Sequence, residues 1–574
     1  MNTFARVLVE RLRQEPDATA LVLQFARQPE RTVTVRGLMR AAAGWQLRLA
    51  EGGIRPGEVV LLILQHGGDL VEAYFGCVLN GSIPAIMPFL TEKLLPERYR
   101  AELTALVGVT QPAAVVTYAD FEPEVRAALG EETSVRRVLV ADAAPDLPGE
   151  PYWEALPGLA RQPDDIALLQ HSSGTTGLQK GVALSHRAVL RQLEVYAAAL
   201  RLDPARDVIV SWLPLYHDMG LIASFLMPLL LGVKLVLMSP FDWVRAPYRL
   251  LQSISAYRGT LTWLPNFAYN FCAQKIRDRD LQGVDLSSLR GVINCSEPCR
   301  AESHAAFAAR FAAWGLNPAA LMTCYAMAEN VFAVTQAGLD GPVMLDVIER
   351  DALQVERVAR PVSGNGRAAL TMVSNGRPLP NVAVRIVDAE GNELPERSVG
   401  EIALRSDCML TEYYRRPDAT EQAFLPGSWY RTGDLGYLAG GELYVSGRKK
   451  DLIIIGGKNV YPQDIEAAAS QVPGVHPGRV VAFGLFDEAA GTEEVALVAE
   501  VDVEGEAERE ALAEAVRQAV TRSTAVALRQ VRLVGPGWII KTSSGKTARA
   551  ANKERYLEEL ATENTEITEK EKKI

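Results

Sequence analysis

From about residue 55 onward, short runs of aliphatic and β-branched residues alternate with stretches of helical pattern, and nothing else limits the possible folds so strongly. The spacing predicts strands over Val59–Leu64, Ala113–Thr117, Val135–Val140, Ile166–Leu169, Val208–Trp212, Lys234–Met238, Leu261–Leu264 and Gly291–Asn294. Between them lie helical patterns such as Ala188–Leu202 and Ala301–Trp314, the rhythm of βαβ units with parallel sheets. A continuous apolar strand such as VVLLIL suits a sheet covered on both faces. After about Arg377 the rhythm changes. VAVRIVDAEGNEL, GEIALRS and GYLAGGELYVSGR read as hairpins, so a smaller β-rich unit is expected there. The last residues, Thr562–Ile574, alternate acidic and basic groups without an apolar period and read as a solvated tail.

The chain has 574 residues, enough for two or more domains. With 60 Lys and Arg against 70 Asp and Glu its net charge is −10, which argues against nucleic acid or an anionic membrane surface as main partner. The six cysteines never form a CxxC pair and read as buried free thiols of a reducing compartment. MNTFARVLVERLRQEP carries charges among its apolar residues and resembles an amphipathic helix, so a cytoplasmic location is expected. Met219–Val233 is too short for a membrane span and is interrupted by Pro228 and Gly232, so a buried core helix is expected.

The segment Leu169–Ser185, LQHSSGTTGLQKGVALS, runs from an apolar strand into a loop of Gly, Ser and Thr closed by Lys180. Glycines let backbone N–H groups turn towards an anion, hydroxyls add donors, and lysine adds charge: the chemistry a polyphosphate needs. Two other nucleotide motifs fail. A P-loop around Gly545, Lys546 and Thr547 would need glycine where Ile540 stands, and Gly364–Ala369 fits a dinucleotide fingerprint without a clear strand before it.

SSGTTGLQKG resembles the signature loop of the adenylate-forming superfamily of acyl-CoA synthetases, peptide-synthetase adenylation domains and luciferases. LPLYHDMGL (Leu213–Leu221), NCSEP (Asn294–Pro298), YAMAEN (Tyr325–Asn330), YRTGDL (Tyr430–Leu435), GRKKDLIIIGG (Gly447–Gly457) and KTSSGK (Lys541–Lys546) follow in that family's order. PLYHDMGL, PNFAYN (Pro265–Asn270), the EP of NCSEP and GGKNVYPQDIE (Gly456–Glu466) are most similar to the fatty acyl-AMP ligase branch. The long separation of Glu329 from Gly376 suits the insertion that marks that branch, with about residues 337–370 as the candidate segment. The resemblance implies an α/β fold: a large N-terminal domain (1–449) of two parallel-rich α/β subdomains plus a small β-barrel-like subdomain (about 371–449). A smaller, mobile α+β C-terminal lid (450–558) and a charged tail (559–574) would follow.

The reaction the resemblance implies joins a carboxylate and ATP into an acyl-adenylate, releasing pyrophosphate, with Mg²⁺ as metal. By the same resemblance Ser172, Ser173, Gly174, Thr175, Thr176, Gly177 and Lys180 would hold the phosphates, and Thr175 and Glu329 the Mg²⁺. Tyr325 and Ala326 would lie against the adenine, Ser296 and Glu297 at its rim, and Asp434 and Arg448 on the ribose. Lys546 matches the lysine bridging carboxylate and α-phosphate, His217 a position at the mouth of the acyl pocket, and Lys450 the hinge. Asn266, Phe267 and Met219 would line the acyl channel. The expected acceptor is the phosphopantetheine thiol of an acyl carrier protein, with CoA as the alternative and an inactive nucleotide-binding homologue as the third reading. Gln179, Ala326, Cys295, Ser296 and Ile540 depart from the family's wording, but none replaces a charged group.

Overall fold

The computed structural model describes residues 2–89, 96–130, 133–141, 147, 149–172, 180–362, 369–455, 458–488, 492–542 and 545–571. The expected α/β architecture is present. A seven-stranded sheet runs in the order Glu412–Tyr413, Lys180–Ser185, Ile166–Ser172, Ile83–Ile86, Val59–Ile63, Ala114–Tyr118, Arg137–Ala141, with its last five strands parallel. Every residue of Val59–Ile63 is buried, as a strand covered on both faces requires. A nine-stranded sheet has at its centre the parallel strands Leu321–Ala326, Gly291–Asn294, Leu261–Leu264, Val208–Ser211, Lys234–Met238 and Thr19–Gln24. One continuous apolar core fills the space between these two sheets and their helices.

Most expected strands fall within a residue or two of their observed bounds. The first helix, Phe4–Gln14, buries Phe4, Leu8, Val9 and Leu12 on one face, as its amphipathic pattern predicts. Met219–Val233 is a buried π-helix, Met219–Leu226, continued by a short α-helix, Met227–Leu231, that ends on Gly232 at φ 83°. Among the described residues no helix is long and apolar enough to cross a membrane. Five of the six cysteines are buried and none is in a disulfide.

Beyond residue 377 an antiparallel sheet pairs Val382–Val387 with Gly400–Ser406, that strand with Trp429–Ala439, and the latter with Glu442–Arg448. GYLAGGELYVSGR is therefore a hairpin. VAVRIVDAEGNEL turns back on itself only briefly, through the antiparallel bridge Val387–Glu393 and the Leu394 N–H bonded to the Ile386 carbonyl at 2.8 Å, while its strand finds its full partner in GEIALRS. In the 337–370 stretch, Leu345–Glu349 pairs with Ala369–Val373, and residues 363–368 lie outside the described residues. Ile348, Leu353 and Ala359 pack there against Tyr437, Tyr444 and Tyr461. The C-terminal residues form a three-stranded sheet, Val475–Asp487, Thr492–Val501 and Leu528–Val534, with apolar clusters of their own. The final helix, Arg549–Glu571, carries regular backbone well into the stretch that reads as a tail.

Asp207, 5% exposed, accepts from Arg290 at 2.8 and 2.6 Å, from Thr260 Oγ1 at 2.7 Å and from the Asp203 N–H at 2.8 Å. Asp207→Ala strips four donors of their acceptor at the N-terminal end of the strand Val208–Ser211, in the middle of the large sheet. It is expected to cost about 3 kcal/mol of unfolding free energy. Urea titration checks this, and a loss below about 1 kcal/mol would contradict it.

Candidate active site

A cavity of about 500 Å³ opens where the C-terminal ends of parallel strands meet the β-rich unit, the position at which open α/β sheets bind ligands. Its wall includes Lys180, His217, Ser296, Glu297, Tyr325, Ala326, Glu329, Asp434, Arg448, Lys450 and Lys546. Residues separated by more than three hundred positions thus converge. Ser173–Gln179 lie outside the described residues, so the placements of Ser173, Gly174, Thr175, Thr176 and Gly177 are not described; Ser172 closes the strand Ile166–Ser172.

Local geometry explains several placements. Gly220 folds the loop after strand Val208–Ser211 back onto the Pro214 carbonyl, where a Cβ would clash, and this brings His217 and Asp218 to the wall. Ser296 turns the rim loop at φ 72°. Glu329 sits in a single turn, Ala328–Asn330, followed by Val331 at φ 62°, ψ −54°, a strained conformation for a β-branched residue. Asn330, fully buried, clamps that turn through a 2.8 Å bond from Nδ2 to the Ala333 carbonyl.

Asp434 faces Arg448 across the hairpin because of two linked features. Gly440 and Gly441, at φ 60° and 79°, make the tight turn between the paired Ala439 and Glu442. A bulge then lets Leu435 pair with Gly447 while Gly436 pairs with Val445, leaving Ser446 extra. The bulge sets Asp434 opposite Arg448 instead of Gly447. Asp434 Oδ1 lies 3.3 Å from Arg448 Nε, and Oδ2 accepts from the Tyr325 hydroxyl at 2.7 Å.

Glu329 Oε1 accepts from Tyr413 Oη at 2.8 Å, Tyr413 Oη is 2.8 Å from Tyr430 Oη, and the Lys180 ammonium stands 4.7 Å over the Tyr413 ring. Burial pushes the Glu329 carboxyl above its ordinary value against the pull of the Tyr413 hydrogen bond. His217 Nδ1 lies 2.6 Å from Asp218 Oδ1, which also accepts from the Met219 N–H at 2.7 Å. Burial works against ionisation of Asp218, but attraction to His217 and Lys546 holds its carboxyl below the ordinary range. Lys546 is pulled down by burial and held up by Asp218. Burial, with Arg448 nearby, brings Lys450 down to about 8.

Sequence reasoning missed part of this wall. Asp218, Tyr430 and Thr432 lie inside the quoted motifs beside the residues singled out, whereas Tyr413 and Arg300 carry no local signal. His171 also lines the cavity; among the described residues neither ring nitrogen has a partner, and burial brings it down to about 4, so its ring is neutral at physiological pH. The three residues expected along an acyl channel are held by packing and hydrogen bonds beside this wall. Met219 is buried, Asn266 bonds Ser303 and Asn294, and Phe267 joins an aromatic cluster around Trp212 and Trp243, whose rings stack at 3.6 Å.

Comparison with known proteins agrees with this geometry. The AMP-binding enzyme family model matches residues 8–414. The long-chain-fatty-acid AMP ligase FadD26 of Mycobacterium marinum is 31% identical, with 97% of each chain covered. A structure from work on fatty acyl-adenylate ligases of E. coli and L. pneumophila superposes with a TM-score of 0.88 at 31% identity, covering 98% of this chain and 99% of that one. A fatty acyl-adenylate ligase of L. pneumophila, solved with acyl adenylate and pyrophosphate, gives a TM-score of 0.72 at 27% identity, covering 97% and 96%. One cavity that gathers Lys180, Asp218, Glu297, Glu329, Asp434, Arg448 and Lys546 from separate motifs, together with these likenesses over nearly the whole chain, places the protein in the AMP-binding enzyme family, in its fatty acyl-AMP ligase branch, as an AMP-forming ligase that activates an acid by adenylation.

Proposed function

We propose that this ligase adenylates a fatty acid and then passes the acyl group to the phosphopantetheine thiol of an acyl carrier protein. The observation that carries the first step is the convergence of Lys180, Arg448 and Lys546 with Glu329 and Asp434 on one cavity. A carboxylate oxygen attacks the α-phosphorus, the bond to the β-phosphate bridging oxygen breaks, and pyrophosphate leaves; no proton moves. The protein's work is therefore positioning and charge stabilisation. Lys546 neutralises the carboxylate and α-phosphate oxygens as they approach. Asp434 accepts from the ribose hydroxyls, held in place by Arg448 and the Tyr325 hydroxyl. Ser296 and Glu297 form the adenine rim, and His217 stands at the acid's entrance, oriented by Asp218.

The site fits Mg²⁺ in one way. Among the described residues no group of three or more His, Cys, Asp and Glu gathers to hold a metal, but Glu329 offers one carboxylate beside the phosphate-loop lysine. That donor set suits a hard cation taking its remaining ligands from phosphates and water, neutralising phosphate charge when bound. Thr175 would be a further ligand by the family pattern.

Transfer to a carrier is supported by the fatty-acid AMP ligase likenesses and by the 337–370 stretch, whose Ile348, Leu353 and Ala359 are packed against the β-rich unit and Tyr461. In that step the thiol sulfur attacks the acyl carbonyl, AMP leaves, and the thiol proton passes to solvent. A panel of carboxylic acids read by exchange of pyrophosphate into ATP identifies the acid. The same acid offered with CoA or with phosphopantetheinylated carrier protein then identifies the acceptor. Thioester on the carrier is expected, and efficient acyl-CoA formation would replace this reading with that of an acyl-CoA ligase.

The charge pair Asp218–Lys546 gives a pH test. Lys546 acts as a cation, so activity falls as pH rises through its lowered pKa. Asp218→Asn removes the charge that resists this lowering and is expected to move the basic limb of the exchange profile to lower pH. An unmoved limb would remove Asp218 from this role.

A further inference from the structure

One ion pair ties the rim of the cavity to the part of the chain that carries Lys546. Arg300 ends the loop on which Ser296 and Glu297 stand, and its backbone N–H is fixed on Asn266 Oδ1 at 3.1 Å. Its Nη2 donates to Asp464 Oδ1 at 2.9 Å and to the Gln463 carbonyl at 3.0 Å, both in the first turn of the helix Pro462–Ala469. The side chains of Arg300 and Asp464 are only 29% and 17% exposed, so solvent screens this pair less than a surface bridge.

The same helix is braced to the base of Lys546. Glu466 accepts from Arg549 Nη2 at 2.7 Å and from the Ala482 N–H at 3.0 Å. Arg549 also donates to Asp451 at 2.7 Å and to the Ala482 carbonyl at 2.9 Å. Arg549 opens the final helix, just after the loop that bears Lys546. Polar contacts and short rigid stretches of backbone therefore link the rim, through Arg300, the helix that bears Asp464 and Glu466, and Arg549, to the loop that bears Lys546.

We propose that Arg300 is a positioning residue for adenylation: its ion pair with Asp464 sets where the Lys546 ammonium stands in the cavity. This rests on the assignment of Lys546 as the cation of that step. The planar guanidinium matters because the two N–H groups of Nη2 point in fixed directions, one to a carboxylate and one to a helix-end carbonyl; the rotating ammonium of a flexible stem lacks that geometry. The loop that lines the nucleotide rim at one end grips the Lys546-bearing segment at the other, so one loop registers both.

The test uses the full chain with Arg300→Ala, Arg300→Lys and the exchanged pair Arg300→Asp with Asp464→Arg. In Arg300→Ala, kcat of pyrophosphate exchange is expected to fall about 10²-fold with the KM for ATP within about 3-fold, because displacement of a reacting group by about 1 Å costs that much. Arg300→Lys should recover part of the loss, and the exchanged pair about 10-fold of it. A second readout is independent of turnover: the rate at which Lys546 is modified by an amine-acylating reagent, followed across pH by peptide mass spectrometry with exposed Lys458 as internal standard. Release of Lys546 from its half-buried position should bring its pH profile towards that of Lys458 in Arg300→Ala and return it in the exchanged pair. Unchanged Lys546 labelling, unchanged exchange despite altered labelling, or no recovery in the exchanged pair would each overturn the proposal. If Lys546→Ala exchanges pyrophosphate at a near-normal rate, the assignment of Lys546 falls instead, and the labelling still decides whether Arg300 positions it.

Discussion

Lys546→Ala is expected to lower acid-dependent pyrophosphate exchange by at least about 10³-fold while the protein still folds and binds ATP. The loss of one preorganised charge at a developing transition state accounts for most of that figure. The fold should tolerate the change because Lys546 contributes its charge to the cavity and little to packing; the loop around it is held by backbone, with Thr542 N–H bonded to the Lys546 carbonyl at 2.7 Å and Gly545 turned at φ 84°. ATP binding by equilibrium dialysis and the thermal midpoint should stay near those of the unmodified protein. Near-normal exchange would remove Lys546 from the mechanism, and a collapsed thermal midpoint would show a structural role.

Glu329→Gln is expected to lower kcat of exchange by about 10²–10³-fold and to raise the Mg²⁺ concentration needed for half-maximal rate. Glutamine keeps the volume and can still accept from Tyr413 Oη, so the clamped turn should persist while the charge is lost. Tyr413→Phe should cost less, about 10-fold, since it removes one hydrogen bond that keeps the carboxyl ionised against burial. A Glu329→Gln enzyme with unchanged Mg²⁺ dependence would show that this carboxylate does not meet the cation.

The sequence was most legible where the signal is local. Val59–Ile63 and Lys234–Met238 are apolar runs that could only be interior strands, and both are. The TGD and GRK segments announced Asp434 and Arg448 by wording, and the hairpin between them by its two glycines. What remained hidden depends on distant partners. Tyr413 reaches Glu329, and Arg300 reaches Asp464, across separations that leave no periodic trace. The strand Val382–Val387 keeps its local hairpin only as the bridge Val387–Glu393, because the longer GEIALRS strand offers a full register. The strained Val331 turn was equally invisible, because its conformation is imposed by Asn330 and the neighbouring strands against the residue's own preference.

The bulge at Ser446 has a consequence for how relatives of this chain should be compared. Asp434 and Arg448 meet only because the length of the Gly440–Gly441 turn and the one extra residue at 446 add up to the right register. A single-residue deletion between them would leave both motifs intact to any reader of the sequence yet shift one strand by a residue, turning alternate side chains to the other face. Inheritance of the Asp434–Arg448 pair is therefore inheritance of a distance along the chain. A homologue with perfect wording and a gap in that interval should be expected to lack the pair, while one with altered turn residues and the same length should keep it.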